Sequence, residues 1–162
     1  MPILLWDASA LAKRYVQEVG SDIVEELFAR VPFSQIAVTI WGYSETFSIL
    51  LRRRNGGVIS QSVFTEAVSA LDEEFVVHQE TVLLAIDNSA VFDGIDLMLK
   101  HNINSADASI LAVFLRYVSK SVLPCIMIAA DQRLLRAGEA EGLAVINPET
   151  ASLADISSML SL

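Results

Sequence analysis

Ile3-Leu4-Leu5-Trp6-Asp7-Ala8-Ser9-Ala10-Leu11 is the stretch that decides the fold of this chain. An unbroken apolar run is closed by an acid and followed by small residues, the pattern of a buried strand feeding directly into a helix. The same punctuation returns later, where Asp131 closes Ile126-Met127-Ile128-Ala129-Ala130 and opens another helix. Asp107 stands at the head of a third, Asp107-Ala108-Ser109-Ile110-Leu111-Ala112. In an open parallel sheet, the carboxyl ends of strands and the starts of the following helices share one rim, where such folds bind ligands. Acids gathered there repel one another, and a hard divalent cation would hold them together.

Outward from these stretches, a helix is predicted from Ala8 to Val19, ended by Gly20, and a second from a cap at Ser21 to about Arg30. The β-branched run Gln35 to Thr39 reads as a strand, and the helix from about Trp41 to Arg54 is stopped by Gly56-Gly57. Ser60 to Glu74 and Thr81 to Lys100 read as helices, the latter interrupted at Asp93-Gly94, with Phe75-Val76-Val77 a brief strand between them. Asn104 or Ser105 caps the helix that carries Asp107, Pro124 precedes a strand over Cys125 to Ala129, and Leu143 to Ile146 forms the last strand. Strands alternating with helices predict an α/β domain with a mostly parallel sheet.

A length of 162 residues fits one domain. We expect a single domain over 1–149 and a C-terminal tail over 150–162 that either packs on it or is partly disordered. Hydrophobic residues reach 53%, yet no apolar run attains the ~18 residues of a bilayer span, so the surplus is expected to cover an interface: a homodimer or a groove for a partner peptide. The first residues lack the basic and long apolar regions of a signal peptide, which points to the cytoplasm. Cys125 is the only cysteine, which excludes an internal disulfide and a thiolate metal cluster and reads as a buried structural thiol. The net charge of −9 argues against strong non-specific phosphate binding but not against a nuclease, whose metals need carboxylates. Arg52-Arg53-Arg54 offers a local basic patch, or equally the cations that complement a helix C-terminus.

With these residues in view, the chain resembles PIN-domain ribonucleases, and among them the VapC-like toxins of toxin–antitoxin pairs, over about residues 1 to 149. The carriers are Asp7-Ala8-Ser9-Ala10-Leu11-Ala12-Lys13-Arg14-Tyr15, Glu45, Ser105-Ala106-Asp107-Ala108 with Ile110 and Ala112, and Ala130-Asp131 with Leu134 and Gly142 to Pro148. The resemblance implies a three-layer α/β/α sandwich in which Asp7, Glu45, Asp107 and Asp131 bind Mg²⁺ or Mn²⁺ and hydrolyse RNA. It further implies a protein antitoxin as partner. Ala129 stands where the family often has Thr or Ser, and Arg133 and Leu134 where many members have a further acid, which bears on a second metal.

Each residue also has a plainer reading. Asp107 and Asp131 could only cap helices, and so could Ser9, which in the family reading hydrogen-bonds near the metal. Glu45 falls off the apolar stripe Ile40, Phe47, Leu50 and Leu51, so pattern alone makes it face solvent and only the resemblance turns it to the rim. Lys13, Arg14 and Arg52 could reach a substrate phosphate or simply be solvated. His78 and His101 fall outside the motifs and receive no role. Two alternatives stay open: a non-catalytic PIN-like interaction module, and a metal-dependent phosphatase using Asp7, which fits worse because Ser9 stands where a second Asp is usual.

Overall fold

A computed structural model describes residues 1–77 and 80–161, so His78 lies outside the described residues. Five strands form one all-parallel sheet: β1 (Ile3–Trp6), β2 (Ile36–Thr39), β3 (Val82–Leu84), β4 (Cys125–Ile128) and β5 (Ala144–Ile146), in the order β3-β2-β1-β4-β5. Between and after them run α1 (Ala8–Leu11), α2 (Ser21–Arg30), α3 (Ile40–Asn55), α4 (Gln61–Asp72), α5 (Asn88–His101), α6 (Ser105–Lys120), α7 (Gln132–Ala140) and α8 (Leu153–Leu160).

Because side chains alternate across a strand, the short central strands divide their residues between two cores. Leu4, Trp6, Ile36, Val38, Ile126 and Ile128 pack with α2, α3, α4 and α8, while Leu5, Ala37, Met127 and Ala129 pack with α5, α6 and α7. The result is the expected three-layer sandwich. Trp6 pairs with Val38 on one side and with Ile128 on the other, so β1 and β4 end level and β2 runs one residue further. The chain leaves β1 toward β2 and later returns to β1's other flank as β4, which makes the gap above β1 and β4 the topological switch point.

Several predicted elements are revised. The helix expected over 8–19 unwinds after Leu11 into a 3₁₀ turn ending at Arg14. Ser21 draws this loop in: its hydroxyl donates to the Lys13 carbonyl (2.8 Å) and accepts from the Glu18 amide (3.0 Å). Gly20, in the left-handed region at φ 87°, caps α2 in place of Ser21, and a side chain there would strike the backbone of Pro148. Phe75-Val76-Val77 is not a strand, because α4 continues through Val77 as a π-helical turn. The helix expected from Thr81 begins with β3 instead, and α5 starts at Asn88 with Asp87 as its cap. Gly94 does not interrupt α5. It lets α6 come close, since a Cβ there would lie 3.2 Å from the Ala108 carbonyl carbon. The tail carries α8, whose Ile156 is buried in the core shared with α2. Cys125 is a free, partly buried thiol.

Candidate metal centre

Asp7 follows β1 and caps α1, accepting from the Ser9 amide at 2.9 Å. Asp131 follows β4 by three residues and caps α7, accepting from the amides of Arg133 (2.8 Å) and Leu134 (3.0 Å). The two acids therefore stand on either side of the switch point. Ser9 ties them together: its hydroxyl donates to Asp7 and accepts from the amides of Ala130 (2.9 Å) and Asp131 (3.2 Å). Its place inside α1 makes it a bridge between two loops, not the helix cap.

Asp107 lies in the first turn of α6, where Asn104 caps the helix by accepting from the Asp107 amide (2.9 Å) and donates its carboxamide to the Asp107 carboxylate (2.7 Å). Glu45 arrives on α3 for a reason the apolar pattern concealed. The buried face of α3 is Gly42, Thr46 and Leu50, while Ile40, Trp41 and Phe47 are exposed. Gly42 sits so close to β2 that a Cβ would be 2.9 Å from Val38 Cγ2. With no side chain there, α3 lies low on the sheet and Glu45 hangs over the rim.

Asp7, Glu45, Asp107 and Asp131 all line one pocket of about 290 Å³, together with Ser9, Asn104 and Arg52. Burial, then the repulsion of Asp7 and Asp107, pushes the Glu45 carboxyl up to about 7. Burial, then Asp7 and Asp131, pushes Asp107 up to about 6. Asp7 is also raised, by burial above all and against the hydrogen bonds from Ser9. The pocket thus holds more negative charge than its own cations offset.

Among the described residues no group of three or more His, Cys, Asp or Glu side chains is arranged to hold a metal ion. The aspartates instead each spend one oxygen on a neighbour within the fold. The donor set nevertheless suits a hard divalent cation, being all oxygen: the second oxygen of each Asp, both oxygens of Glu45, and water.

The basic candidates part company. Arg52 lines the pocket and hydrogen-bonds Ser48 at 3.1 Å. Lys13 is buried in an adjoining cleft, paired with Glu149 (2.7 Å) and Glu18 (3.5 Å), and Arg53 meets Glu18 beside it. Arg14 is not brought to the acids: it pairs with Glu25 and with Glu74 (3.0 Å) and lies over the Phe28 ring. His101 contacts Glu141, away from the pocket.

The architecture is a PIN-like α/β fold. It is similar to Mycobacterium tuberculosis VapC20, a sarcin–ricin loop cleaving toxin, at 16% identity over 83% of this chain and 95% of that one, with a TM-score of 0.62. FitAcB from Neisseria gonorrhoeae aligns at 13% identity over 92% of this chain and all (100%) of that one, also with a TM-score of 0.62. A toxin–antitoxin complex from Klebsiella pneumoniae aligns at 15% over 90% and 97%, with a TM-score of 0.58. At such identities the likeness is one of fold, which the opening motifs had led us to expect. No protein-family model matches the sequence, and no curated protein does.

Proposed function

We propose that this protein is a metal-dependent endoribonuclease, the toxin of a toxin–antitoxin pair. The observation that carries this reading is the convergence of four carboxylates, from four separate segments of chain, on one pocket at the switch point. Phosphodiester hydrolysis needs an activated water and relief of the charge that builds on the phosphorus oxygens, and Mg²⁺ or Mn²⁺ held by Asp7, Asp107, Asp131 and Glu45 would supply both. Asp7 and Asp107 are the most enclosed of the four and would bind it directly. Asp131 would complete the set directly or through water, and Glu45 would ligate a second ion or orient the water. Arg52, on the pocket wall, steadies a substrate phosphate.

A protein antitoxin that covers the acidic pocket is supported by the fold likeness to a toxin–antitoxin complex. Self-association is supported by α5, where Phe92, Ile95 and Leu99 leave an apolar stripe exposed. The deciding experiment incubates the purified chain with RNA and Mg²⁺ or Mn²⁺, beside Asp7→Asn and an aryl-phosphate substrate. Cleavage of RNA that Asp7→Asn abolishes supports the reading. Undiminished cleavage by Asp7→Asn, or turnover of the aryl phosphate alone, refutes it.

A further inference from the structure

A second cavity, of about 500 Å³, lies apart from the acidic one. It lies against the edge strand β5, between α7 and α8. Its lining includes the apolar Leu135, Val145 and Met159 and the polar Gln132, Arg136, Glu139 and Thr150. Among the described residues none of those four side chains has a hydrogen bond or ion pair. Arg136 and Glu139 lie three apart on α7, near enough to face one ligand, yet they form no pair with each other.

Along the chain the cavity's lining follows directly on that of the acidic pocket. Asp131 lines the acids' pocket and Gln132, the next residue, lines the cavity, a step of about 3.8 Å along the backbone. On the opposite wall Glu149 lines the cleft beside Asp131, while Thr150 lines the cavity. Arg133, exposed on the first turn of α7 and without an ion pair among the described residues, lies between Asp131 and Arg136 in the chain.

We propose that this cavity is a nucleobase subsite that receives a nucleotide flanking the cleaved bond, and that it favours guanine. The inference rests on the ribonuclease reading above. The apolar part of the lining accepts the face of a base, and the polar part carries the groups that its edge requires. An arginine donates two hydrogen bonds to O6 and N7 of guanine, and a free carboxylate accepts from a base amino group. Adenine offers an amino group in place of O6 and would leave Arg136 half-satisfied. Arg133 is placed to meet the intervening phosphate.

The test uses Asp7→Asn, which should bind RNA without cutting it, and fluorescent octaribonucleotides that carry a single guanine at successive positions of an oligoadenylate. We expect one guanine position to bind roughly tenfold tighter than the all-adenine strand, the value of one bidentate arginine-to-base contact. Adding Arg136→Ala or Glu139→Gln should abolish that preference. If Asp7→Asn binds RNA and no guanine position is preferred, or the preference survives both changes, the subsite is wrong and the nuclease stands. If these changes weaken only the binding of a protein partner, the cavity is a protein contact and the proposal falls. If the protein neither binds nor cuts RNA, both readings fall together.

Discussion

Ser9 gives its single hydroxyl to three partners, donating to Asp7 and accepting from the amides of Ala130 and Asp131. Ser9→Ala would leave two amides without that acceptor and free the Asp7 carboxylate to turn. We expect a loss of ~1–3 kcal/mol in stability. Metal-dependent cleavage should fall by roughly 10–100-fold, and Ser9→Thr should restore much of both in parallel thermal melts and cleavage assays. Glu45 gives a prediction about pH. Its folded carboxyl is raised to about 7 and that of Asp107 to about 6. Between about pH 4 and those values the folded state keeps protons that the unfolded chain has released. The cation-free protein should therefore lose stability as pH rises through that window and level off above it. Glu45→Gln should relieve the strain: discounted for the solvent that reaches this position, ~1 kcal/mol, or a Tm higher by roughly 2–4 °C at pH 8 in chelator. An unchanged or lower Tm would mean that the repulsion is already screened.

Among the elements, α3 depends most on a missing side chain. Gly42→Ala would set a methyl 2.9 Å from Val38 Cγ2 and lift the helix that holds Glu45. We expect a cost of ~1–3 kcal/mol in chemical denaturation, with weaker Mn²⁺ binding by calorimetry than in the parent. The same element shows where sequence reasoning stops. β1 and β4 were legible because they are central strands buried on both faces, which leaves a continuous apolar run with an acid at its end. Asp7 and Asp131 could be placed on the rim for that reason, and Asp107 by its position at the head of a helix. The wheel of α3 misled because its buried face is Gly42 and Thr46, whereas Ile40, Trp41 and Phe47 point outward. β3 reads as helix in the sequence because Val82-Leu83-Leu84, a half-exposed edge strand, is too short for its period to discriminate. The early end of α1 follows from Ser21 and from the pairing of Lys13 with Glu149, 136 residues away, which no local pattern carries.

For the whole molecule, the segment beyond residue 149 is a working part of the core. Ile156 is fully buried (0% exposed) beside α2, and Ile156→Ala should cost ~2–5 kcal/mol. Removal of 150–162 should lower Tm by at least as much as that substitution does; a truncated chain that melts with the parent would restore the tail to a mere appendage. The sheet order has a last consequence, for synthesis. β1 is made first but lies in the middle, and its second neighbour β4 begins only at Cys125. A growing polypeptide must keep that oily ribbon waiting until the long intervening segment has been made, and the acid at residue 131 emerges later still. No nascent polypeptide that stops short of residue 131 can assemble the four-acid pocket.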